Sequence, residues 1–176
     1  MKNFILVILL MFVSCPCAFS KEKPEGWDSV TRGWSRMPIR VYLDETGEHT
    51  EAIKEGFEDW QELSDEKVKF KYVTKAHAGY AEIKVRMTEK FSDHTAGLTT
   101  AQMNVNKIGK SVVEISTHKA NGEPNTEEEM DIIIRHEIGH ALGLKHSEDP
   151  RSTMYPIILP GQSITTDDLE NLWELY

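Results

Sequence analysis

Apolar and polar positions alternate along four stretches of this chain and recur at helical spacing along three others. Ile39, Val41 and Leu43 alternate with polar residues and predict a first strand, with Pro38 at its start and Gly47 breaking it. Ala52, Ile53, Phe57, Trp60 and Leu63 then recur at intervals of three and four, with Glu51, Lys54, Glu55, Glu58 and Asp59 on the opposite face. That is an amphipathic helix packed on a sheet, with Thr50 as its cap. Val68, Phe70 and Tyr72 alternate with lysines, and Ala81, Ile83, Val85 and Met87 alternate again, giving a second and a third strand. Val113, Ile115 and Thr117 form a further strand. The order strand, helix, strand, strand predicts an open mixed sheet with a helix behind it.

The later helices carry end signals. Asn121-Gly122-Glu123-Pro124 is a turn cluster. Thr126 and Glu129 have capping-box spacing, and Glu127 and Glu128 suit the positive end of a helix dipole. The helix they open runs through Met130, Ile133, Ile134, His136, Ile138, His140 and Ala141. Gly139 inside it costs about 1 kcal/mol relative to alanine, which predicts a close neighbour there. Thr165 and Thr166 cap a last helix, with Leu169, Leu172, Trp173 and Tyr176 facing inward.

Residues 1–20 read differently. Lys2 precedes a continuous apolar run from Phe4 to Val13, of the length of an export signal and short for a membrane span. Ala18-Phe19-Ser20 offers small residues for cleavage, so the mature chain is expected to start at Lys21, with residues 21–26 a polar leader and 27–176 the folded domain. The protein is then secreted or periplasmic. Lipidation at Cys15, which would make it a membrane-anchored lipoprotein, is the alternative. Both cysteines, Cys15 and Cys17, lie in this segment, so the domain beyond it has no disulfide and a metal becomes a plausible source of stability.

The chain has 176 residues, enough for one domain with a sizeable core, and a formal net charge of −9. Lys2 is the only charge in residues 1–20, so the remainder is one unit more negative still. Such a surface excludes nucleic acid and anionic membrane as natural partners.

One stretch carries chemistry. In His136-Glu137-Ile138-Gly139-His140-Ala141-Leu142-Gly143-Leu144-Lys145-His146, the first two histidines are four apart, which puts both rings on one helix face. Two neutral imidazoles so placed can hold one Zn²⁺ ion. Glu137 can reach a water on the metal without being a ligand. Gly143 ends the helix in a left-handed conformation, and His146 returns as third ligand. The fourth position is left for water, the arrangement of a catalytic zinc site.

This pattern is the metzincin signature. Ser147 directly after the third histidine, followed by Ser152-Thr153-Met154-Tyr155-Pro156, resembles the matrixin family, the branch that includes the matrix metalloproteases. The resemblance spans residues 27–176 and is densest from Asp131 to Pro156. It implies an α+β fold of the metzincin-like zincin kind: a twisted mixed five-stranded sheet, a backing helix, an active-site helix and a C-terminal helix. Met154 would be the Met-turn residue, an apolar floor beneath the histidines. Gly97-Leu98-Thr99-Thr100-Ala101 falls where matrixins place the edge strand, so backbone groups of Leu98 and Thr99 would hold an extended substrate. Pro156 and Ile158 would line the pocket wall, and Tyr155 would not reach the zinc. The second, structural zinc of many matrixins is not expected, because its ligand spacing is missing around Asp93, His94 and His118. His49, His77, His94 and His118 read as exposed loop residues. Calcium has no motif here, although acidic loops could accept it.

The implied function is that of an exported, monomeric zinc endopeptidase, hydrolysing peptide bonds through zinc-bound water with Glu137 as general base. Its partner is a protein or peptide extended along the edge strand. Two alternatives stand beside it: a zinc amidase acting on cell-wall peptides, and a catalytically idle exported zinc-binding module.

Overall fold

The computed structural model describes residues 4–11, 33–91, 95–104 and 107–176. Six strands form one sheet: β1 (Phe4–Met11), β2 (Ile39–Asp44), β3 (Phe70–Tyr72), β4 (Ile83–Thr88), β5 (Thr95–Asn104) and β6 (Lys107–Ser116), in the spatial order β1-β5-β6-β4-β2-β3. The β3/β2, β2/β4 and β4/β6 pairs are parallel, and β6/β5 and β5/β1 are antiparallel. Three helices accompany it: α1 (Thr50–Leu63), α2 (Glu127–Ala141) and α3 (Thr166–Leu175). The expected α+β architecture is therefore present, with its five-stranded mixed sheet. The sixth strand comes from the apolar run read as an export signal. An apolar run of eight residues satisfies its backbone by joining the outer edge of β5, which no other described strand pairs.

Most of the inward residues predicted by period two belong to the core. Ile39, Val41, Ile83, Val85, Val113 and Ile115 are each fully or almost fully buried. Against them α1 presses Ile53, Phe57 and Trp60, and α2 presses Ile133, Ile134 and Ile138. The two helices touch at Gly56, where a Cβ would lie 2.6 Å from Ile134 Cγ2. The Trp60 indole donates to the carbonyl of Arg135 at 2.9 Å, and Arg135 Nε meets Asp59 Oδ2 at 2.6 Å. Thus α1 fixes the height of α2 over the sheet, and with it the height of the histidines.

Four local expectations change: Leu63 and Tyr72, read as inward, are 49% and 37% exposed at the end of α1 and on the edge strand β3, and Thr50 and Trp173 also differ. Thr50 does not cap α1. The chain enters through a 3₁₀ turn at Gly47–His49, and the Thr50 hydroxyl donates back to Gly47 O at 2.7 Å. The backbone is already wound when the helix starts, so no side-chain cap is used. Trp173 is 42% exposed rather than inward. Its indole N–H donates to Ser64 O at 3.2 Å, so the ring covers the end of α1 with one edge and leaves the other wet. Trp34 is buried, at 5% exposure. No helix among the described residues is long and apolar enough to cross a membrane.

Candidate metal centre

The site is built on α2. Its start is the expected capping box: Thr126 Oγ1 accepts from Glu129 N at 3.2 Å, and Glu129 Oε2 accepts from Thr126 N at 2.9 Å. Its end is set by Gly143, at φ +103°. The Gly143 N–H donates to His140 O and the Leu144 N–H to Gly139 O, both at 3.0 Å, the paired bonds of a Schellman ending. Two further carbonyls at this end are capped from afar. Trp34 Nε1 donates to Ala141 O and the Tyr176 hydroxyl to Leu142 O, each at 2.9 Å. The turn at Gly143 sends the chain back, and His146 arrives over the helix face that bears His136 and His140.

The three imidazoles converge. Ring centroids are 4.4 Å apart for His136 and His140, 4.8 Å for His140 and His146, and 5.2 Å for His136 and His146. One ligating nitrogen from each lies within 4.8 Å of the others. Two rings are oriented by backbone carbonyls: His136 Nδ1 bonds Thr153 O at 2.6 Å, and His140 Nδ1 bonds Leu144 O at 2.9 Å. A carbonyl only accepts, so Nδ1 carries the proton in both rings and Nε2 is the ligating nitrogen.

Burial keeps these rings neutral. It holds His136 down to about 3, helped by nearby His146 and opposed by the bond to Thr153. His140 is held well below the usual histidine range, first by burial and then by His136 and His146. Glu137, fully buried, is pushed up to about 8 by burial and drawn partly back by the Thr99 hydroxyl.

The donor set fits a zinc ion. His136 Nε2 and Glu137 Oε1 are buried and meet no hydrogen-bond partner among the described residues. A buried polar atom left in that state costs about 1–3 kcal/mol, so the pair asks for a cation on the nitrogen and a proton donor on the oxygen. Three neutral imidazoles suit Zn²⁺ and leave a fourth position open. Among the described residues, His49 and His118 are half-buried, His77 is exposed, and none joins this group. Asp93 and His94 lie outside the described residues.

The turn at Met154, which is 1% exposed, packs against α2. Gly139 explains itself here: a Cβ at that position would lie 2.3 Å from Met154 Sδ and 3.0 Å from Trp60 Cζ2. The turn is tied to α3. The Ser152 hydroxyl accepts from Met154 N at 2.8 Å and reaches both carboxylate oxygens of buried Asp168, at 2.8 and 2.7 Å. Asp168 also accepts from Thr165 N, completing a second capping box. A chain of contacts thus links α3 to the Met154 turn, which contains the Thr153 carbonyl that orients His136.

Pro156 and Ile158 are half-buried in the segment after this turn, and Ile158 packs on the core. On β5, Leu98 is half-buried and Thr99 fully buried. Thr99 carries more than the backbone role expected of it. Its hydroxyl lies 2.6 Å from Glu137 Oε2 and 3.0 Å from Glu137 O. Gly97, two residues earlier on the same strand face, approaches the same carboxylate: a Cβ there would fall 2.5 Å from Glu137 Cγ and Oε1. Sequence reasoning missed Gly97, the Thr99 side chain, Ser152, Asp168 and the two orienting carbonyls. Only Asp168 had a local signal, the Thr165-x-x-Asp168 spacing of a capping box.

Comparison with known proteins identifies the family. The Peptidase M10 family model, described as matrixin, matches residues 39–176. The chain is 43% identical over 47 residues to a 72 kDa type IV collagenase of Gallus gallus, covering 26% of this chain and 7% of that protein. It is 43% identical over 51 residues to metalloendoproteinase 2-MMP of Arabidopsis thaliana, covering 27% and 14%. It is 42% identical over 48 residues to matrilysin of Felis catus, covering 25% and 18%. The matches thus span less than a fifth of the length of these relatives. Among solved structures, myroilysin aligns over 86% of this chain and 93% of its own at 13% identity, with a TM-score of 0.49. With a family model matched from the first core strand to the final residue, over the histidines, the Met154 turn and α3 alike, the chain belongs to the matrixin family.

Proposed function

We propose that this protein is a zinc-dependent endopeptidase in which His136, His140 and His146 hold the ion and Glu137 is the general base. One observation carries the reading: a buried carboxylate oxygen and a buried imidazole nitrogen, one residue apart on a helix, have no hydrogen-bond partner among the described residues, beside two further converging imidazoles. When bound, Zn²⁺ supplies a Lewis acid that polarises water and the scissile carbonyl. Glu137 takes the proton from the attacking water at Oε1 and returns it to the leaving amine. His136 and His140 stay neutral and fixed through their Nδ1 bonds, so no reorganisation of the ligands accompanies the reaction. Buried Met154, packed on α2 at Gly139, helps exclude solvent from the helix that bears the rings.

The substrate is a protein or peptide bound extended along the outer edge of β5. Support comes from β1, which pairs there antiparallel over eight residues, with Leu9 opposite Leu98 and Ile8 opposite Thr99. A substrate strand would use the same ladder positions, so the two exclude one another. Export of the chain, with residues 1–20 as the signal, accords with a substrate outside the cytoplasm.

The test is digestion of a proteome-derived peptide library by zinc-loaded protein, with and without chelator. Chelator-sensitive cleavage within peptides is expected, and Glu137→Ala should keep zinc while losing turnover by about 10²–10⁴-fold. Cleavage confined to cell-wall cross-links would make the protein an amidase. Wild-type rates in Glu137→Ala would remove the general base.

A further inference from the structure

We infer that Thr99 is a positioning residue for the general base, holding one oxygen of the Glu137 carboxylate so that the other faces the reaction. This rests on the endopeptidase reading of Glu137 but adds a residue and a strand to it. The two carboxylate oxygens of Glu137 are not equivalent. Oε2 receives the Thr99 hydroxyl at 2.6 Å, whereas Oε1 is buried with no hydrogen-bond partner among the described residues. A short hydroxyl-to-carboxylate bond of that length is among the stronger side-chain hydrogen bonds, and both partners are fully buried. The hydroxyl also lies 3.0 Å from the carbonyl of Glu137 itself. It therefore touches both ends of one residue, its backbone and its reacting group.

Gly97 makes this clamp possible. Residues 97 and 99 lie on the same face of β5, because strand side chains alternate with period two. At 99 that face offers a hydroxyl. At 97 it offers no side chain, and any Cβ would overlap Glu137 Cγ, Oε1 and Cδ at 2.5–2.7 Å. The carboxylate thus sits in a notch of β5, open at one residue and gripped two residues later. The same strand offers its outer edge to an added peptide. The element that aligns the substrate backbone also sets the angle of the base, so both are referred to one rigid strand. A base misplaced by about 1 Å can cost about 10²-fold in rate, which is the scale on which such a clamp matters.

The experiment compares zinc-loaded wild type, Thr99→Val and Thr99→Ser on one cleavable peptide, with zinc content and thermal midpoint measured on each. Valine keeps the shape and removes the donor; serine restores the donor. The expected result is a kcat in Thr99→Val lower by about 10–100-fold, with KM within about threefold, zinc stoichiometry unchanged, and recovery to within about threefold in Thr99→Ser. A Thr99→Val kcat within about twofold of wild type overturns the inference. So does a joint loss of kcat, substrate affinity and zinc that serine does not restore, since that is a packing defect. If the wild type cleaves no peptide, the endopeptidase reading fails, and crystal structures of zinc-loaded wild type and Thr99→Val then decide this point. A Glu137 carboxylate that leaves its notch in the variant upholds the clamp, and one that keeps an identical pose overturns it.

Discussion

Gly139→Ala should destabilise the protein, although it replaces glycine by the best helix former in the middle of a helix. Intrinsic propensity alone favours the change by about 1 kcal/mol. The new methyl, however, would lie 2.3 Å from Met154 Sδ, 3.1 Å from Met154 Cε and 3.0 Å from Trp60 Cζ2. The sulfur must retreat by more than an ångström. Met154 is 1% exposed and Trp60 fully buried, with the indole tied to Arg135 O, so neither has free space to enter. Overpacking of this kind costs about 1–3 kcal/mol, and with the propensity gain included the net loss is up to about 2 kcal/mol. For a domain of this size that lowers the melting midpoint by up to about 8 °C. A double-mutant cycle isolates the cause. Met154→Ala alone opens a cavity and costs about 2–5 kcal/mol, but within it Gly139→Ala meets no sulfur and should recover up to about 1 kcal/mol. Urea denaturation of the four metal-free proteins, followed by tryptophan fluorescence, measures all corners. If Gly139→Ala stabilises the wild-type background by the full propensity gain, the contact with Met154 and Trp60 is not what excludes a side chain there.

The metal-free protein should lose stability on both sides of a narrow pH range. His136, held to about 3 against a usual 6.5, and His140, also depressed, keep the fold stable above pH 6.5 and withdraw that stability as pH falls, by about 1.4 kcal/mol per unit for each ring. Glu137, raised to about 8 from 4.5, acts oppositely: its contribution is whole below 4.5 and is lost as pH rises toward 8. Between pH 6.5 and 8 the urea midpoint should therefore fall in wild type and stay level in Glu137→Gln; parallel curves would contradict the burial argument. Ser152→Ala should cost about 1–3 kcal/mol by stripping Met154 N of its acceptor and Asp168 of a donor. Because the adjacent Thr153 carbonyl orients His136, zinc affinity should also fall about 10–100-fold, and an unchanged affinity in a chelator competition would break that link. A chain starting at Lys21 should bind peptide substrate with lower KM than one retaining residues 1–20, since β1 and substrate would share the β5 edge; equal values would separate the two sites.

The elements legible in advance were those whose cues are local. The α2 capping box, the left-handed Gly143 and the paired histidines depend on spacings of three to seven residues, and each stands where those spacings put it. The alternation in β2, β4 and β6 likewise survives as buried inner faces. Thr50 and Trp173 were misread because both are decided by what lies beyond their own helix: a 3₁₀ turn before α1, and the end of α1 beside α3.

The sequence by itself determined the chemistry available: three imidazoles, one carboxylate and a turn to bring the third ring back, all within eleven residues. Helix periodicity converts those spacings directly into a shared face. Only the tertiary structure decided how that carboxylate is held. Thr99 is 38 residues from Glu137, and Asp168 is 16 from Ser152. No periodicity relates such positions. They meet because β5, α2 and α3 are packed against one core, and a hydrogen bond between distant segments exists only once that packing has fixed both ends.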